Sequence, residues 1–209
     1  MIDRRQGIET AREANLGDFG LDLADRVRYE PSGWMNLPRV LRAGDVSDDD
    51  VFVDLGSGKG RVVLQAARYP FRRVIGVEIA EELTAVACAN VEASRDRVRC
   101  KEIELVTADV LEYELPDDVT VAYLYNPFRA RTFELFAQRL IDALDRNPRP
   151  FRLIYSTPME HELLMRTGRF QMVREVRGLR PGREWSSKLS IRMYSLVPAP
   201  APAPSDRTR

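Results

Sequence analysis

The residues Asp54-Leu55-Gly56-Ser57-Gly58-Lys59-Gly60-Arg61 form the densest concentration of chemistry-bearing types in the chain. They follow the apolar run Val51-Phe52-Val53 and precede Val62-Val63-Leu64, so a glycine turn stands between a buried strand and a helix. Glycines there let the backbone turn sharply and let a ligand reach the main chain, while free amides at the helix start offer donors. A phosphate-binding NTPase loop needs a Gly four residues ahead of its Gly-Lys pair and a Ser or Thr after the Lys; Val53 and Gly60 occupy those places. A dinucleotide fingerprint needs its third glycine where Arg61 stands, which disfavours NAD or FAD without excluding it. Two carboxylates and an amide stand in comparable settings: Glu78 after Val74-Ile75-Gly76-Val77, Asp109 after Thr107-Ala108, and Asn126 within Tyr125-Asn126-Pro127-Phe128.

Each of these groups needs an element to position it. Apolar patterning predicts strands over 51–55, 73–78, 103–107, 119–125 and 151–155, alternating with helices near 62–67, 80–93 and 133–144. This β-α-β-α rhythm describes a parallel sheet with helices on both faces. The rhythm breaks at 170–176 and 189–197, two strand-like stretches around the turn-rich residues 180–183, where an antiparallel pair is expected. Trp34, Leu37, Val40 and Leu41 recur at helical spacing before Gly44. With the weakly patterned start of the chain they suggest a helical cap over residues 1–45, followed by the main domain over 46–197. Residues 198–209, with their Pro-Ala alternation, read as a disordered tail.

Composition narrows the function classes. With 209 residues, 44% hydrophobic and 31% charged, the chain reads as one soluble domain with neither wholesale disorder nor an apolar run that could span a membrane, which points to the cytoplasm. Lys plus Arg and Asp plus Glu are each 32, so no global basic field recruits nucleic acid or an anionic membrane. Cys88, Cys100 and His161 lack the spacing of a zinc site, and no metal is expected. Cys88 reads as a packed helix residue and Cys100 as a surface thiol. His161 is expected to be a solvated helix-end histidine, with a catalytic base as the alternative reading. Trp185 could equally line a pocket or anchor a loop.

The Asp-Leu-Gly-Ser-Gly-Lys-Gly pattern resembles the first motif of class I S-adenosylmethionine-dependent methyltransferases, and the resemblance extends over approximately residues 29–197. It implies an α/β, Rossmann-like fold with a mostly parallel seven-stranded sheet and an antiparallel last strand. It implies S-adenosyl-L-methionine as cofactor, with Asp54, Gly56, Ser57, Gly58 and Gly60 at its amino-acid end. Glu78 and the following Ile79 would lie at the ribose, and Asp109 and Val110 at the adenine. Residues 28–32, with Tyr29 and Ser32 over the methionine end, and the continuation Arg61-Val62-Val63-Leu64-Gln65 resemble the non-SET-domain histone lysine methyltransferases and their small bacterial relatives.

Asn126-Pro127-Phe128 is similar to the Asn-Pro-Pro-Tyr element of nitrogen methyltransferases, without its second proline. The resemblance thus implies methyl transfer to an amine or amide nitrogen of a small molecule or protein side chain, with Asn126 both orienting the acceptor and bordering the cofactor. Oxygen or carbon acceptors are the alternative, and an NAD(P)-dependent oxidoreductase or a non-catalytic cofactor-binding module are the alternatives of another class. The neutral charge and Pro-Ala tail, in place of a polybasic segment, disfavour a nucleic-acid substrate.

Overall fold

A computed structural model describes residues 2–21, 25–177 and 190–198. Seven strands form one sheet in the order β3-β2-β1-β4-β5-β7-β6. They are β1 (Val51–Leu55), β2 (Arg73–Glu78), β3 (Glu102–Thr107), β4 (Val121–Tyr125), β5 (Arg152–Ser156), β6 (Phe170–Val176) and β7 (Ile191–Leu196). The strands from β3 through β5 run parallel, while β7 inserts antiparallel between β5 and β6. The expected antiparallel terminal pair is therefore present, although residues 180–183 and Trp185 lie outside the described residues, as does the tail from 199 onward.

Burial explains the sequence pattern. All five residues of β1 are buried, because α3 (Arg61–Ala66) and α4 (Glu81–Glu92) cover one face of the sheet region while α5 (Ala130–Arg146) covers the other. Phe133, Phe136, Leu140 and Leu144 of α5 are buried, with Phe133 stacked 5.5 Å from the Tyr155 ring. Truncating such a core leucine costs about 2–5 kcal/mol through lost transfer energy and the cavity left behind.

The connectivity also creates the crevice. The chain winds outward from β1 to β3 and returns as β4 on the other side of β1, so the loops after β1 and β4 diverge at the carboxyl edge. Ligands of open α/β sheets sit at such a switch point.

The amino-terminal region holds α1 (Ile2–Gln6) and α2 (Asn36–Val40), with single 3-10 turns at Leu16–Phe19 and Ala43–Asp45. Residues 25–32, ahead of α2, are tied down by isolated bridges pairing Ala14 with Tyr29 and Arg26 with Phe128.

The two cysteines exchange their expected environments. Cys88 is exposed, because α4 turns Leu83, Thr84, Ala87, Asn90 and Val91 inward and leaves Cys88 on the outer face. Cys100 is buried just before β3, its thiol directed at the Arg72 and Glu102 carbonyls, and burial pushes its pKa up. An apolar stretch on a helix does not say which residue faces out, and a residue beside charged neighbours can still enter the core at a strand start.

Candidate active site

A cleft opens at the carboxyl edge above β1, β2 and β4. Its floor is the turn after β1, where the Gly56 and Ser57 amides donate to the Val77 carbonyl at 2.8 and 2.9 Å. Two glycines of this turn are required by what crosses it. Gly58 has φ +52°, and a Cβ there would lie 2.2 Å from Tyr29 Cε2; at Gly56, with φ +84°, it would lie 2.5 Å from Pro127 Cβ. Any side chain at either place collides with an element that closes the cleft. Gly60 instead faces Ala87 of α4, which makes it a packing position.

Glu78 organises the turn from β2. Its Oε2 accepts from the Gly58 amide at 2.8 Å, and its Oε1 accepts from the Ile79 and Ala80 amides at 2.9 and 3.0 Å. Burial raises its pKa, and these three amides hold it back. A carboxylate has about four acceptor positions, so lone-pair capacity remains for a further donor.

Asp54, near the end of β1, is 2% exposed and lines the cleft, and its carboxylate accepts no hydrogen bond among the described residues. Burial, then repulsion from Glu78, pushes its pKa well above the usual carboxylate range. A buried carboxylate without a partner suits a cationic ligand.

Residues 25–32 form a strap across the cleft. The Val27 amide donates to the Pro127 carbonyl at 3.0 Å, and the Arg129 amide to the Asp25 carbonyl at 2.8 Å. At the other end the Tyr29 hydroxyl donates to the Thr10 carbonyl at 2.7 Å, and burial raises the Tyr29 pKa so that the phenol stays a neutral donor. Ser32 Oγ lies 3.1 Å from the hydroxyl of Tyr123, which is fully buried on β4 beside Asp54.

Arg61 braces the strap from beneath. It donates to the Ser32 carbonyl (2.8 Å) and to Thr10 Oγ1 (2.7 Å), and it sits 3.3 Å from Asp3. Lys59 Nζ meets Glu9 Oε2 at 2.5 Å, with only 7% of its side chain exposed. The two basic residues of the glycine turn thus engage the amino-terminal segment.

Among the residues singled out from the sequence, Tyr29, Asp54, Gly56, Ser57, Glu78, Ile79 and Val110 line the cleft, as does Ser32. Gly58, Gly60, Asp109 and Asn126 border it without lining it. Asp109 is turned to Arg26, whose Nη2 lies 2.7 and 2.6 Å from its two carboxylate oxygens. Asn126 occupies the turn after β4 with φ +45°, and its Oδ1 accepts from the Tyr155 hydroxyl at 3.4 Å, while its neighbours Tyr125 and Pro127 line the cleft. His161 stands at the start of α6 (His161–Arg166) with Nδ1 2.9 Å from the Tyr194 hydroxyl, away from the cleft, and burial lowers its pKa. Sequence reasoning missed Arg26, Tyr123 and Phe128 as cleft residues. Arg26 belongs to a segment without periodicity, and Tyr123 reads simply as a strand aromatic.

Comparison with known proteins bears on what the cleft holds. The family model described as "Histone methylation protein DOT1" matches residues 34–117, which contain the glycine turn, Glu78 and Asp109. That match covers less than half of the chain. Over that stretch the chain resembles the class I S-adenosylmethionine-dependent methyltransferases.

That resemblance implies S-adenosyl-L-methionine as the ligand. The cleft fits that molecule: the unpartnered Asp54 carboxylate suits its cationic methionine end, and Glu78 retains acceptor capacity for vicinal hydroxyls. A protein-lysine N-methyltransferase of Saccharolobus islandicus (strain REY15A) is 39% identical over 67 residues, 32% of this chain and 42% of that protein. A probable ribosomal RNA small subunit methyltransferase A of Methanopyrus kandleri is 32% identical over 105 residues, 47% of this chain and 34% of that protein. The chain spans less than half the length of either relative. The crystal structure of an RNA methyltransferase from Salinibacter ruber in complex with S-adenosyl-L-homocysteine shares the fold, with a TM-score of 0.52 at 24% identity over 86% of this chain and 99% of that one. The expectation against a nucleic-acid substrate finds no support among these relatives. Among the described residues no helix is long and apolar enough to cross a membrane.

Proposed function

We propose that the protein transfers a methyl group from S-adenosylmethionine to an amine or amide nitrogen, with a protein side chain or small molecule as acceptor. The observation that carries this reading is the position of the Tyr125–Phe128 turn. It flanks the cleft beside Asp54 and is joined to the strap by the Val27–Pro127 hydrogen bond, with Tyr125 and Pro127 lining the cleft and Asn126 between them. The cofactor supplies a methyl already activated on a sulfonium, so alignment and exclusion of water are what the chain must add. Tyr29, Ser32 and Tyr123 close one side against solvent. The glycine turn and Glu78 fix the ligand's position, and the Asn126 turn holds the nucleophile in line.

A protein-lysine methyltransferase among the relatives favours a protein amine. The ribosomal RNA methyltransferases favour a second reading, an RNA base nitrogen. A methyl-labelled assay over lysine peptides, small amines, cell protein and structured RNA, with the label located by mass spectrometry, tests both. Label on nitrogen is expected, and Asn126→Ala should lower turnover roughly 100-fold while leaving S-adenosylhomocysteine affinity nearly unchanged. Label on oxygen or carbon refutes nitrogen transfer. Undiminished turnover by the variant makes Asn126 a turn residue only.

A further inference from the structure

The resemblance to class I enzymes assigns Asp109 to the adenine amine, but the structure gives its carboxylate a different partner. Both oxygens face Arg26 Nη2, at 2.7 and 2.6 Å, and Oδ1 also accepts from the Leu111 amide at 2.8 Å. Arg26 comes from the strap, with only 8% of its side chain exposed, and its guanidinium lies 6.0 Å from the Phe128 ring centroid. It lines the cleft where Asp109 does not. We propose that Arg26 is a positioning residue for the cofactor: its ion pair with Asp109 latches residues 25–32 across the loaded cleft and thereby governs how fast the demethylated cofactor leaves. The proposal rests on the S-adenosylmethionine reading of the cleft.

The geometry gives the latch its leverage. The strap enters through the Arg26–Phe128 bridge and leaves through Tyr29 and Ser32, so everything it covers lies between two anchors. The far anchors are the Tyr29 and Ser32 hydroxyl hydrogen bonds and the Arg61 bond to the Ser32 carbonyl, none of which is an ion pair. The Arg26 anchor is a charged pair with a largely enclosed cation, and losing one partner leaves the other poorly solvated. A pair in this position acts mainly on dissociation. Leaving ligand requires the strap to lift, and lifting separates Arg26 from Asp109.

Release of labelled S-adenosylhomocysteine from the full chain, chased with excess unlabelled ligand, reads the latch directly. Arg26→Gln and Asp109→Asn should each speed release roughly tenfold or more, and the double variant should be no faster than the faster single one. Arg26→Lys, which keeps the charge, should recover part of the slow release and guards against a folding defect in Arg26→Gln. The adenine role is separated by S-inosylhomocysteine, which carries an oxygen in place of the amine. Under the latch, wild type and Asp109→Asn lose the same factor in affinity on going from the adenosyl to the inosyl ligand. If that factor disappears in Asp109→Asn while Arg26→Gln releases ligand at the wild-type rate, Asp109 holds the adenine and the latch is refuted. Multiplying effects in the double variant likewise refute it. Wild-type protein that fails to retain S-adenosylhomocysteine at all overturns the cofactor reading itself, a result distinct from either.

Discussion

Asp54 and Glu78 concentrate the electrostatics of the cleft. Both are buried, and burial raises both pKa values, with Glu78 adding to the shift of Asp54. Their folded-state pKa values exceed the unfolded ones, so the native protein holds protons that the unfolded chain has released. The contribution of these groups to stability therefore declines as pH rises from the unfolded carboxylate range, about 4, through their folded values. A cationic ligand beside Asp54 favours its ionised form and opposes that decline. Thermal unfolding measured across pH should show the free protein losing more stability than the protein saturated with S-adenosylmethionine. Calorimetry in buffers of different ionisation heat should show net proton release on binding, fading once the pH passes the free-protein pKa of Asp54. Proton uptake on binding would mean that the ligand's cation lies elsewhere. Of these residues the sequence disclosed the types and the strand ends. It did not disclose that Glu78 would spend both oxygens on backbone amides, since that depends on how closely the turn after β1 approaches β2.

The strands were legible because a buried parallel sheet leaves apolar runs, as within Val51–Leu55 and Arg73–Glu78, and because helices between them keep a 3.6-residue period. The strap and the segment before it have neither signature. They are held by side chains reaching across the fold, and such contacts have no local period. Asp3 shows how they work: its carboxylate accepts from the Thr10 amide and hydroxyl at 2.9 and 2.7 Å and from the Trp34 indole at 3.0 Å. Burial alone would raise its pKa; the Thr10 and Trp34 hydrogen bonds and the nearby Arg61 charge outweigh that and hold it below the ordinary value. The stability Asp3 contributes is therefore complete above the unfolded value of about 3.9 and is lost as pH falls through the lower folded one. Trp34 fluorescence should report release of this segment in that acidic window, and Asp3→Asn should give the released signal already at neutral pH. A variant with the wild-type acid transition would show that other contacts hold the segment.

At the scale of the molecule, the cleft is assembled from pieces far apart in sequence: the strap, the turns after β1 and β2, the segment around Val110, and the turn after β4. The sheet holds all but the first in fixed register. The strap reaches the sheet side of the cleft through Arg26, Val27 and Ser32, and the amino-terminal segment through Tyr29 and the brace of Arg61 with Thr10 and Asp3. Ligand seated under the strap touches both groups at once, so binding energy should be distributed to the whole fold and not to one lobe. Saturation at a hundred times the dissociation constant adds about 2.7 kcal/mol by mass action. For a chain of this size that corresponds to a rise of about 5–10 °C in Tm. The expected melting curve with S-adenosylhomocysteine is a single transition moved up by that amount, with Trp fluorescence and far-UV circular dichroism coinciding. Were the strap an independent unit, the fluorescence transition would move with ligand while the circular dichroism transition stayed in place. That separation would show that the cleft is closed by a segment energetically apart from the sheet.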